Sequence, residues 1–178
     1  VIIVDYLTKS ATRQIIRGFA PIFRNLFDAE ADGPFPVLEA LEKVPDVFKG
    51  SNVEIVADWK LPKKTVAQCE PHNDGTFTIK IRESVYVGAY DKKIWAYQGH
   101  ICHELCHGFL WSIGYQPIMT RSFDNGEIPA YCSAEWQAKA LCGEVMVPYE
   151  ASIGCQKKRL LLSTTCLKAL LTTGKSTN

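Results

Sequence analysis

No stretch of this 178-residue chain approaches the ~20 consecutive apolar residues that a membrane helix needs, so a transmembrane protein is not expected. Nor is there an excess of one charge. The 20 basic and 19 acidic residues are mixed along the chain and leave a formal net charge of +1, which argues against a nucleic-acid or anionic-membrane partner. Any partner must be recognised by a local site. Repeats, linkers and low-complexity tracts are also missing. With 47% apolar and 22% charged residues, the expectation is one folded domain with a sizeable core. The opening VIIVDYL lacks the basic start and small-residue cleavage site of a signal peptide. The seven cysteines are odd in number and have no small-domain disulfide spacing, so they read as mostly free thiols and favour a cytoplasmic setting.

The hydrophobic pattern predicts an α+β fold. SATRQIIRGFAPIFRNLF, Ser10 to Phe27, places Ile15, Ile16, Phe19, Ile22, Phe23, Leu26 and Phe27 at helical spacing, with Ser10 as N-cap. Pro21 inside it predicts a kink or two shorter helices. A short helix from Val37 to Lys43 is bounded by prolines at both ends. Asn52 to Trp59 reads as a strand, and Val66 to Glu70 and Thr76 to Arg82 as a hairpin turning at Asn73, Asp74 and Gly75. Within TFTIKIR, Phe77, Ile79 and Ile81 share the buried face and Thr76, Thr78 and Lys80 the other. Helices follow over Asp91 to Ser112, Ala130 to Val147 and Lys157 to Thr172, with a loop holding Pro117, Gly126 and Pro129. The expected layout is a helical part over 1–50, a small antiparallel sheet and metal-binding core over 51–150, and a helix with a frayed tail over 151–178.

Histidine is scarce, with four in the chain, yet HICHELCHGF at 100–109 holds three of them. On a helix each residue advances about 100°, so His103 and His107 lie only ~40° apart on successive turns and can grip one ion. Glu104, ~100° from His103, stands beside such an ion. That is HExxH, a zinc site with a built-in base. The metal lowers the pKa of its water toward ~7, the carboxylate takes the proton, and hydroxide attacks a carbonyl carbon. The bland alternative is a helix that happens to carry two histidines.

Zinc in a catalytic site takes a third protein ligand and leaves the fourth position open. Downstream candidates are Asp124, Glu127, Glu135 and Glu144. The first two lie in the expected loop. Glu135 and Glu144 share one helix, but nine residues is ~900°, half a turn out of phase, so only one can face the metal. The Glu135 face carries Ala138 and Cys142, small residues that permit close helix approach. Glu135 is therefore the preferred ligand, against the alternative of a solvated glutamate at a helix start.

HELCH followed 28 residues after His107 by EWQAKALCGEVMVP resembles the ImmA/IrrE family of zinc peptidases. The family's second motif is a glutamate, an alanine three residues on, and an apolar helix closing at a methionine and proline; Glu135, Ala138 and Val145 to Pro148 match it. The resemblance covers roughly residues 50 to 150. It implies a zincin-like core with His103, His107 and Glu135 on zinc and Glu104 as general base. It also implies cleavage of a regulatory protein, since members act on repressors in bacteria and their phages or mobile elements. Cys102, Cys106 and Gln98-Gly99 depart from the family's alanine, glycine and Arg-Phe pair.

Cys102 and Cys106 point away from an ion held by the histidines and read as small buried hydrophobes. An oxyanion stabiliser is sought in Tyr131, one turn before Glu135, with Tyr115 and His100 competing. His100, one turn before His103, is alternatively a donor that hydrogen-bonds a metal ligand from behind or part of the substrate pocket. The strand with Thr76, Thr78 and Lys80 is a candidate edge for an extended peptide substrate. The readings left open are a zinc metallopeptidase, a zinc-containing domain that binds a regulatory protein without turnover, and a zinc hydrolase of small amides.

Overall fold

The computed structural model describes residues 5–118, 128–149 and 153. The described residues form five α-helices and three strands in the order α1 (Arg13–Leu26), α2 (Val37–Val47), β1 (Asn52–Val56), β2 (Ala67–Pro71), β3 (Phe77–Arg82), α3 (Glu83–Tyr90), α4 (Trp95–Ser112) and α5 (Ala134–Met146). The class is α+β. No helix among the described residues is long and apolar enough to cross a membrane. The helix expected over Lys157 to Thr172 lies outside the described residues, as do Asp124, Gly126 and Glu127.

The sheet is mixed, not antiparallel. Its strand order is β1-β3-β2, with β3 antiparallel to β2 and parallel to β1. The hairpin between β2 and β3 is the expected one: Gly75 takes φ 88° and the Asp74 carboxylate accepts from Thr76 N–H at 3.0 Å. Alternation alone could not reveal that β3 returns between β1 and β2. Residues 57–66, including a 3-10 turn at Asp58–Lys60, carry the chain from one edge to the other across two strand spacings, roughly 10 Å. That turn also ends β1 before Trp59, which is exposed.

Several boundaries differ from the hydrophobic pattern. The α1 N-cap is Thr12, whose hydroxyl accepts from Ile15 N–H, not Ser10. The helix continues unbroken through Pro21, which lies exposed on its outer side. Ile16, Ala20, Phe23 and Phe27 form its buried stripe; Ile15, Ile22 and Leu26 are exposed on an adjoining one. Seven apolar residues span a wider arc than the core can cover. In α2 the helix runs on past Lys43 and through Pro45. The helix expected from Asp91 begins later, at Trp95, and a separate helix that the pattern did not indicate, α3, precedes it and ends at Tyr90, with Lys93 at φ 50° between the two. The one expected from Ala130 begins at Ala134, after a 3-10 turn, with Ser133 capping Trp136 N–H at 2.9 Å.

Aromatic packing fixes α4 in place. Phe109 meets Phe23 of α1 edge-on at 5.3 Å, and Phe77 of β3 packs on Phe48 at 5.2 Å. Phe77, Ile79 and Ile81 are fully buried toward the helices, as their alternation predicts. α4 approaches β3 where its side chain is missing: a Cβ on Gly108 would stand 2.5 Å from the Phe77 ring. Gly108→Ala is therefore expected to destabilise the fold by about 1–3 kcal/mol, the ordinary cost of overpacking, because the Phe77 ring has no solvent to retreat into. A lowered midpoint in chemical denaturation checks it.

Candidate metal centre

Six apolar residues of α4, namely Ile101, Cys102, Leu105, Cys106, Phe109 and Leu110, are buried, and this leaves His103, Glu104 and His107 on the flank facing a cleft. The two cysteines sit in the core, as their helical phase required. α5 packs against this helix, with Cys142 Sγ 3.6 Å from Gly99 O, and brings Glu135 from its first turn.

The three side chains converge. His103 Nε2 and His107 Nε2 are 3.1 Å apart, and each lies 3.3 Å from one carboxylate oxygen of Glu135. Bonds of ~2.0–2.1 Å in a tetrahedron place ligand atoms roughly 3.3 Å apart, so the three atoms have the spacing that a small divalent ion requires. Among the described residues, this trio is the group able to hold a metal ion. Glu144, half a turn away on α5, is buried and answers Arg13 at 3.1 Å and Arg17 at 3.3 Å. The phase argument that separated the two glutamates corresponds to two different environments.

Each charge is held in character. Hydrogen bonds from His103 and His107 keep the Glu135 carboxyl far below the usual carboxylate range, ionised and ready as a ligand. Burial lowers the His103 pKa, but the hydrogen bond and charge of Glu135 and the charge of Glu104 outweigh it and leave the ring above its ordinary value. A ligating imidazole must be neutral, so metal binding to the free site displaces this proton. Affinity is expected to fall as pH drops through the raised His103 pKa, by about tenfold per pH unit for one proton. Competition with a chelator at several pH values measures it.

Glu104 is half-buried, and burial raises its pKa against the opposing pull of the histidines and of Cys69 N–H, which makes its carboxylate a stronger proton acceptor. One oxygen, Oε2, accepts from Cys69 N–H at 2.8 Å. The register explains this bond. Val66 O accepts from Arg82 N–H and His72 N–H donates to Thr76 O, so the intervening Ala67, Cys69 and Pro71 turn their backbone groups to the other edge of β2, which pairs with no strand among the described residues.

That edge borders a cleft of about 670 Å³ which also contains His100, His103, Glu104, His107 and Glu135. The strand with Thr78 and Lys80 is thus not the available edge, and Thr76 lies just before it: β3 has partners on both sides. Two oxyanion candidates are likewise displaced. Tyr131 belongs to the 3-10 turn before α5, is exposed and does not line the cleft; Tyr115 is buried against Phe19. His100 lines the cleft outside the ligand trio.

Spacing could not indicate two contributors. Tyr6 lines the cleft, and Asp5 caps α5, accepting from Glu135 N–H at 3.1 Å and from the Ser133 hydroxyl at 2.5 Å. Both lie more than 120 residues from Glu135 in sequence and carry no motif. Comparison with protein-family models, curated proteins and solved structures found no match to the chain.

Proposed function

We propose that the chain is a zinc-dependent metallopeptidase of zincin-like type, with His103, His107 and Glu135 as zinc ligands and Glu104 as general base. The observation that carries this reading is the convergence of the trio at tetrahedral ligand spacing beside a half-buried carboxylate. Two imidazoles and a carboxylate suit zinc, and three protein ligands leave a position for solvent or substrate. When bound, zinc supplies Lewis-acid polarisation of a carbonyl and acidifies water.

The chain's own residues do the rest. Cys69 N–H restrains one oxygen of Glu104, so the carboxylate stands fixed at the flank of the site with its other oxygen left to accept a proton. Glu135 is anchored through its own N–H by Asp5, which keeps the ligand's backbone in register with α4. Ala67 and the Cys69 carbonyl at the free edge of β2 offer pairing groups to an extended backbone, which favours a peptide over a small amide. A regulatory protein of repressor type is the substrate class suggested by the resemblance to ImmA/IrrE peptidases, and a reducing cytoplasm is the expected setting.

The test begins with the zinc content of the purified protein and hydrolysis of fluorescein-labelled casein by wild type and Glu104→Gln. Zinc near one per chain with activity lost in the variant supports the reading. Stoichiometric zinc with no cleavage of any protein would favour the non-catalytic binding domain instead.

A further inference from the structure

The cleft is also lined by a phenol, Tyr6, that the proposed zinc ligands and base leave without a role. The segment of Tyr6 is pinned from two sides: Ala134 N–H donates to Tyr6 O at 3.2 Å and Thr8 N–H to Cys132 O at 2.9 Å, while Ile118 N–H donates to Leu7 O at 2.8 Å. Leu7 forms a bridge with Ser133, and the Asp5 carboxylate ties the same stretch to the start of α5. A backbone held this way aims its side chain rigidly. Tyr6 lines the cleft, close enough to Glu135 on α5 and to Cys69 on β2 for both to act on it electrostatically. It therefore shares the cleft with the proposed ligand Glu135 and with the strand edge beside which a peptide would lie.

We propose that Tyr6 is a catalytic residue whose hydroxyl donates a hydrogen bond to the oxygen of the scissile carbonyl as that oxygen gains negative charge. This assignment rests on the peptidase reading given above. Four of the cleft's other donors, Trp111, Lys64, Thr65 and His100, suit the role less well. The Trp111 indole N–H is engaged by His72 O at 3.2 Å. Lys64 and Thr65 precede β2, beyond the Ala67–Cys69 stretch that faces the base. His100 is exposed and acts on Cys142, at the seam between α4 and α5, whereas Tyr6 acts on Cys69, on the side where β2 runs. A phenol also carries its proton at neutral pH, and burial here pushes Tyr6 up to about 12. It is a donor throughout the working range, in a partly desolvated site where one such bond is worth most.

The test is Tyr6→Phe, which deletes one oxygen and keeps the ring. In zinc-loaded protein acting on fluorescein-labelled casein, kcat is expected to fall roughly 10²–10³-fold with KM and zinc stoichiometry unchanged. A phosphinic pseudopeptide, whose tetrahedral anion resembles the reacting carbonyl, is expected to bind the variant more weakly by calorimetry, while a substrate-like D-peptide competitor binds both equally. A variant that keeps kcat within about threefold of an active wild type overturns the assignment and leaves the peptidase reading standing. So does a loss that comes with lost zinc, or a larger kcat loss in His100→Gln. A wild type that neither cleaves casein nor binds the phosphinic peptide removes both proposals together.

Discussion

Replacing Glu104 with Gln is expected to reduce peptide hydrolysis by about 10²–10⁴-fold, the range that a positioned general base contributes, while the protein keeps its zinc. Gln has nearly the shape of Glu, and its side-chain carbonyl can still accept from Cys69 N–H, so the fold around α4 should persist. What disappears is the basic oxygen. Burial raises the Glu104 pKa and so strengthens it as an acceptor, which makes the neutral amide a larger loss than it would be at an exposed position. Initial rates on labelled casein, with zinc measured in the same samples, check this. Undiminished hydrolysis in a zinc-replete Glu104→Gln protein would end the mechanism.

Removal of Glu135 is expected to cost the metal itself. Glu135→Ala leaves two neutral imidazoles as the protein's ligands, and the loss in zinc affinity should exceed the roughly 10–100-fold that accompanies a change in a residue merely supporting a ligand. The comparison that gives this weight is Glu144→Gln on the same helix. Glu144 answers Arg13 and Arg17 on the other side of α5, so its loss should lower stability and leave zinc bound. Both carboxylates are acidic residues of one helix, which makes net charge an inadequate explanation of a difference between them. Zinc retained after dialysis against a competing chelator, with circular dichroism to verify folding, separates the two. The reverse pattern would place the metal elsewhere.

The site was legible in the chain to the extent that it depends on local spacing. His103, Glu104 and His107 lie within five residues of one helix, and helical geometry alone dictates that both rings share a face. Glu135 required two more steps, the half-turn phase difference that lets only one of Glu135 and Glu144 face the rings and the small Ala138 and Cys142 on the Glu135 side, and the structure puts Glu135 against both rings and Glu144 against two arginines. The buried face of β3 was legible for the same reason, since a period of two fixes which side chains share a side. Helix ends were less so. Ser10 and Thr12 are both capable caps, and the choice between them depends on where the backbone is held, as Ala11 N–H is held by Tyr131 O at 2.8 Å. α3 passed unread because its apolar residues, packed at the end of the sheet, have no clear helical stripe.

The chain by itself determined that two imidazoles and a carboxylate lie on one flank of a helix, that Glu135 and Glu144 cannot both face them, and that Phe77, Ile79 and Ile81 turn inward. These are consequences of fixed residue advance along a single element. The tertiary structure alone decided that β3 lies in the middle of the sheet, that β2 supplies the edge and the N–H held by Glu104, and that Asp5 and Tyr6 reach the site. Those contacts join segments separated by tens to more than a hundred residues, and no local period encodes them; they follow from how buried faces pack against one another.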